Sequence, residues 1–204
     1  MAVIGQSMAY QRYEATPADN LLVDWNFDPG DSTNLSTPAA GVLNCSRFWV
    51  PQTITIANVW TMLMTAGAGA TALANCYVGV YGNPSAGVFN LLGSSADQST
   101  AWATLAANMS IAAVTHATGQ SLTVPGGSGS YVYVGRLVGT QSTTAVQFGS
   151  RAQNNANVAN VGMVLSGGGW TANALPRSFT TGTALTALPS TVTPLSGSVG
   201  VDYW

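Results

Sequence analysis

His116 is the one imidazole in the chain. A Ser-His-Asp relay needs that ring beside a serine and an acid. Beyond residue 31 the only acids are Asp97 and Asp202, and no Gly-x-Ser-x-Gly frame occurs. His116 is therefore expected as an exposed or edge-strand residue beside a loop. Cys45 and Cys76 are the only thiols, 31 residues apart and both in apolar surroundings. Zinc ligands come in close His/Cys spacings, which these lack. They are expected as buried free thiols and not as a disulfide. Gly126-Gly127-Ser128-Gly129 lacks the lysine and the following helix of a phosphate cradle. Asp24, Asp28 and Asp31 could supply a carboxylate pair for glycoside hydrolysis, or oxygen ligands for calcium. Their spacing matches no EF-hand loop, and Asp28-Pro29-Gly30-Asp31 has the composition of a turn capped by its own acids. No catalytic residue, metal ligand or cofactor is expected, and the chain is not read as an enzyme.

Composition narrows the function further. Only 6% of residues are charged, against roughly 25% in an ordinary soluble domain. Lysine is absent, and Arg12, Arg47, Arg136, Arg151 and Arg177 are the only arginines. Five cations are too few to neutralise a nucleic-acid backbone. Charge-driven disorder and charged coiled coils are excluded for the same reason. What remains is a surface of Ser, Thr, Asn, Gln, Gly and Ala that repels neighbouring copies weakly. Such a surface suits a subunit of a large assembly.

Residues 48–96 hold no charge, which invites a membrane reading. Asn58, Thr61, Thr65 and the Gly67-Ala68-Gly69-Ala70 break argue against it, and no cations cluster at either end. Buried strands are expected there instead. Met1–Tyr10 lacks the cationic start and apolar run of a signal peptide.

The elements that would position any site are strands. Residues 1–40 carry five of the seven acids and Pro17, Pro29 and Pro38, so they are expected as an extended N-terminal arm. At most one short strand is expected there, near Leu21–Trp25. Residues 41–204 are expected as the β-sandwich domain. Val42–Val50 has the pattern of a first strand, closed by Pro51. Ile54, Ile56, Trp60, Met62 and Met64 share one parity and are expected on one face of a long strand. Asn75–Tyr81 and Val88–Leu92 flank a turn at Gly82–Gly87 and make a hairpin. Residues 101–114 fit a helical stripe through Trp102, Leu105 and Met109. Their Ile, Val, Ser and Thr content favours short strands. Ser121–Val124 is expected as a short strand. Tyr131–Val138 alternates most clearly, with Tyr131, Tyr133, Gly135 and Leu137 opposite Val132, Val134, Arg136 and Val138. Ala145–Phe148, Asn160–Leu165 and Val199–Trp204 are further strands, and Gly167–Pro194 is mostly loop. Eight to ten short strands with turn signals between them predict an all-β fold, a jelly-roll-like antiparallel β-sandwich. The six tryptophans are expected mostly in its core, with Trp170, after three glycines, the best exposed candidate. Trp170 with Asn173 is the candidate ligand contact.

Several stretches carry a resemblance. They are Asp24-Trp25-Asn26-Phe27-Asp28-Pro29, Tyr77-Val78-Gly79-Val80-Tyr81-Gly82 and Leu91-Leu92-Gly93-Ser94-Ser95-Ala96-Asp97. Gly129-Ser130-Tyr131-Val132-Tyr133-Val134-Gly135, Leu188-Pro189-Ser190-Thr191 and the Tyr203-Trp204 end complete them. In this order the set resembles the β-sandwich tail and surface proteins of bacteriophages that infect actinobacteria, the minor tail proteins. The resemblance implies a virion structural subunit at the tail or decorating the particle, assembled in the host cytoplasm. It implies a homo-oligomer, with trimers expected, and contacts to other virion proteins. Tyr10, Arg12 and Tyr13 in the arm are the candidate assembly contacts. The alternative is a lectin-like module that attaches to host cell-wall glycan through Trp170 and Asn173. Neither reading involves nucleic acid or membrane.

Overall fold

The computed structural model describes residues 34–104, 108–127, 130–151, 178–194, 198–199 and 202–203. The fold is all-β and antiparallel, a large sheet curled into a sandwich. The first strands are β1 (Asn34–Ser36), β2 (Leu43–Trp49), β3 (Ile54–Thr55), β4 (Asn58–Thr65), β5 (Ala74–Ser85) and β6 (Val88–Ser95). A short helix, α1 (Ser99–Thr104), precedes β7 (Asn108–His116), β8 (Thr123–Val124), β9 (Tyr131–Thr140) and β10 (Gln147–Arg151). β11 (Ser178–Thr181), β12 (Thr191–Val192), β13 (Ser198–Val199) and β14 (Asp202–Tyr203) follow.

The strand order is β1-β10-β4-β7-β6-β5-β9-β2-β11-β13. β6 and β7 pair over three residues, Gly93–Ser95 against Val114–His116, and the sheet folds over on itself around this junction. The layer β1-β10-β4-β7 is called the front sheet below, and β6-β5-β9-β2-β11 the back sheet. Val59, Leu63, Ala112 and Phe148 of the front meet Val78, Val80, Val132, Val134 and Val138 of the back in one core. Period-two alternation puts these side chains inward, and each fully buried one contributes about 1.5–3 kcal/mol. Trp102 of α1 closes one end of this core. Its ring packs edge-on against Phe148 with centroids 5.0 Å apart, and its Nε1 donates to Ser110 Oγ at 3.2 Å. Arg136 spans the interior from the back sheet, donating from Nε to Thr61 Oγ1 at 3.1 Å.

The outer side of the back sheet holds a second core of Leu43, Cys45, Tyr81, Phe89, Tyr133, Leu137, Phe179 and Val192. Leu185 and Leu188 pack over it from the segment between β11 and β12. Phe89 and Phe179 each meet the Tyr133 ring edge-on, at 5.0 and 5.1 Å. Strands β5 and β9 are thus buried on both faces, as the double alternation of Tyr131–Val138 requires.

Several expectations need correction. Ile54 and Ile56 do not share a face with Trp60, Met62 and Met64. The run breaks after Thr55, β3 pairs with β8, and both isoleucines pack against the main core. In β4 the odd residues Val59, Thr61 and Leu63 point inward, so Trp60 and Met64 point out. Asn58, at the start of β4, is exposed. The turn expected at Gly82–Gly87 is shorter, because β5 runs on through Pro84 to Ser85. Only Ala86 and Gly87 make the turn, both at positive φ (50° and 80°), as a tight two-residue hairpin turn demands. Residues 101–114 are neither all strand nor all helix: the helix ends at Thr104 and the strand starts at Asn108. The strand count is higher, fourteen among the described residues. Of the arm, only residues 34–40 are described, and Asn34–Ser36 pair with β10 as an edge strand. The expected strand at Asn160–Leu165 lies outside the described residues.

Candidate functional site

Among the described residues the titratable groups do not converge. His116 is exposed at the end of β7, with Nδ1 3.5 Å from the Ala117 carbonyl oxygen. Asp97 serves the backbone: its Oδ1 accepts from Cys76 N at 3.0 Å, from Ser99 N at 2.8 Å and from the Ser99 hydroxyl. Partial burial opposes its charge, but these bonds from Ser99 and Cys76, with the Asn75 amide, outweigh it. The carboxyl is held below the usual aspartate range. Its job is to fix the entry to α1. Cys45 and Cys76 are free and buried in different cores, on opposite faces of the back sheet. Burial raises the Cys45 thiol far above its ordinary range, against the pull of the Arg136 charge. Burial pushes Cys76 up to about 11, with the Ser99 hydrogen bond lowering it and the Asp97 charge raising it. Neither is poised as a nucleophile. Among the described residues no three His, Cys, Asp or Glu side chains gather as a metal site, and no helix is long and apolar enough to cross a membrane.

A hollow of about 390 Å³ opens between the Gly67–Leu73 loop and α1, lined by Thr71, Ser99, Thr100, Thr104 and Ser142 among others. It offers hydroxyls and methyls without an aromatic platform or a charge.

The surface that stands out is the outer face of the front sheet. Trp60 lies opposite Ile111 and Met62 opposite Met109 in the β4–β7 register. Trp60 and Met64 are each 37% exposed and Ile111 52%. Leu35 of β1, 53% exposed, lies at the edge of the same sheet. On β4 and β7 the other positions of this parity are Asn58, Ala113 and Thr115, so none carries a charge. Arg151 of β10 and Asp202 of β14 are register partners. Large apolar side chains contiguous over a few hundred Å² mark an interaction surface in a soluble protein.

A second, smaller patch sits at the end of β2 and β9. Trp49 is 49% exposed and lies opposite Tyr131. The Arg47 guanidinium stands 4.8 Å over the Tyr131 ring, and Trp49 Nε1 donates to the Gly127 carbonyl at 3.4 Å. Flat rings with a cation beside them are a stacking platform.

The site residues expected from sequence, Trp170 with Asn173 and Tyr10, Arg12 and Tyr13, all lie outside the described residues. So do the acids Asp24, Asp28 and Asp31. Sequence reasoning missed both patches because it assigned most tryptophans to the core. Trp102 is there, but Trp49 and Trp60 are not. The signal for Trp49 was Arg47 two residues before it, on the same side of the strand. No equivalent signal marked Trp60, since β4 is largely apolar on both parities. No protein-family model matches the chain, and no curated protein matches it.

Proposed function

We propose that the protein is a structural subunit that acts by packing against copies of itself and against other proteins of a virion. Its place would be the bacteriophage tail or particle surface, with assembly in the host cytoplasm. The observation that carries the packing role is the uncharged apolar face formed by Trp60, Met62, Met64 and Ile111. The virion setting rests on the sequence resemblance to minor tail proteins. The reading assigns no catalytic step: the described titratable groups are scattered or committed to the backbone. The arm serves attachment, through Tyr10, Arg12 and Tyr13, by adding to a neighbour's sheet edge or wrapping it. Deleting residues 1–20 should abolish incorporation into particles and leave the domain folded. A truncated chain that still loads normally overturns the arm's role, and particles that lack the chain altogether overturn the virion setting.

The Trp49–Tyr131–Arg47 patch favours a second reading, a lectin-like module for host glycan. Ring stacking with a polar rim is how sugars are held. Binding on a glycan array that disappears in Trp49→Ala or Trp170→Ala would support it, and no binding to any host glycan would reject it.

A further inference from the structure

We infer that residues 182–190 form a strap that lifts off the outer side of the back sheet as a unit of its own, while the strands beneath it stay paired. The strap leaves β11 at Thr181, which pairs with Leu43 of β2, and reaches β12 at Thr191, which pairs with Asn90 of β6. It therefore crosses β2, β9 and β5 on the way. None of its residues is buried: Leu185, Leu188 and Pro189 are half-buried and the rest are exposed. Among the described residues three hydrogen bonds tie it down. Leu185 N donates to the Gly41 carbonyl at 2.9 Å, Leu91 N to the Ser190 carbonyl at 2.8 Å, and the Tyr81 hydroxyl to the Pro189 carbonyl at 3.1 Å. Every ordered residue loses backbone entropy, and a segment with few buried contacts for its length is the kind that opens locally.

Two further features favour lifting. Ala184 is held at a φ of 55°, in the left-handed region that a side chain enters at a cost. It is pressed there onto Gly41, where a Cβ would stand 2.6 Å from Ala184 Cα. Lifting releases that residue. The chain also has slack. By the register, the strap spans four strand spacings across the sheet and about five residues along it, a diagonal of roughly 25 Å. Ten residues of extended chain reach about 33 Å, so β11 and β12 keep their pairs. Beneath the strap, Gly79 and Gly135 are register partners. Leu188 is seated over the first of them: a Cβ on Gly79 would stand 2.9 Å from Leu188 Cδ1. The Tyr81 ring lies over both, since Cβ atoms on Gly79 and Gly135 would stand 3.2 and 3.0 Å from its Cε2. Lifting bares the apolar trough over these glycines, beside Tyr81 and Leu91, so the outer face has a sealed form and a bared one. The sealed form predominates. Cys45 keeps Phe179 of β11 and Gly135 of β9 beside it in both, so its thiol stays unreactive on mixing with a reagent.

Amide hydrogen exchange of the full chain, followed residue by residue by NMR, tests this. Leu91 is the telling amide, because it lies inside β6 but donates to the strap. Val78 of β5, whose amide donates to Ser95 Oγ at 3.0 Å, reports opening of the sandwich itself. Leu91 and Leu185 should share one protection factor, at least about tenfold lower than that of Val78. Leu188→Ala should speed exchange at both strap amides about tenfold, and Tyr81→Phe about fivefold, with Val78 changed less. Leu63→Ala, in the main core, should speed Val78 and leave the two strap amides nearly unchanged. If Leu91 is as protected as Val78, the strap opens only with the whole fold and the inference is overturned. If Leu185 exchanges fast while Leu91 stays protected, one end frays without the other and the inference is overturned as well. Should a variant fail to fold, the unaltered chain's three amides decide alone.

Discussion

The two sheets of this sandwich carry apolar residues on both sides, but among the described residues only the back sheet has both sides covered. The outer side of the back sheet lies under Leu185 and Leu188, from the segment between β11 and β12. Tyr81, Phe89 and Tyr133 beneath them are fully or almost fully buried. The outer side of the front sheet presents Trp60, Met62, Met64 and Ile111, and among the described residues nothing comparable covers them. The chemistry of the side chains differs little between the two. What differs, among the described residues, is whether a later stretch of the chain returns across them. The lesson is that apolar alternation specifies a surface that wants a partner, and chain topology decides whether the partner is intramolecular.

Stability should separate the two sides sharply. Tyr133→Ala or Phe179→Ala removes a ring from the covered side and should cost about 3–5 kcal/mol in chemical unfolding. A loss below about 1 kcal/mol would break the comparison. Gly126→Ala probes how tightly the loop before β9 closes on its neighbours. A Cβ there would stand 2.0 Å from the Gln52 carbonyl carbon, so the backbone must move. A destabilisation of about 2 kcal/mol or more is expected in the same assay. On the bare side, Trp60→Ala should change the stability of the monomer by less than about 1 kcal/mol, its effect appearing in association instead.

The thiols offer a second contrast. Cys45 lies in the covered outer core and Cys76 in the main core, both with raised thiol pKa. Neither should react with a thiol reagent at pH 8 in the native protein, and both should in denaturant. Rapid native labelling of Cys45 would mean that the cover opens. Asp97 gives the smallest effect. Its folded pKa lies below the unfolded value of about 3.9. The contribution is therefore fully present above about pH 4 and is lost as pH falls through the folded pKa. Unfolding followed across that window should show Asp97→Asn with a weaker acid dependence than the unaltered chain. An identical dependence would mean that its bonds to Ser99 and Cys76 do not favour the carboxylate.

Much of the architecture was legible. Tyr131–Val138 announced a strand with two apolar faces, and β9 is buried on both. Tyr77, Gly79 and Tyr81 opposite Val78 and Val80 separated into the two cores as their parity required. The hairpin was legible but its turn was not, because Gly82 and Pro84 look like breakers. β5 tolerates them where its register with β6 shifts. The helix at Ser99–Thr104 was obscured by its brevity. It exists because Asp97 organises its entry and Trp102 has a core position to fill, and neither depends on local propensity.

The candidate surface was the least legible part. A period of two sorts residues into two sets but does not say which set is inside when both are apolar. For β4 the choice was made by Thr61, which meets Arg136 of the opposite sheet inside the sandwich. That contact joins residues 75 positions apart. By itself the sequence determined that the chain forms short antiparallel strands with almost no charge, because alternation and composition are local properties. Only the tertiary structure decided that Trp60 and Ile111 face outward while Tyr133 is sealed in. Burial depends on which distant segment folds back across a sheet, and no local pattern encodes that.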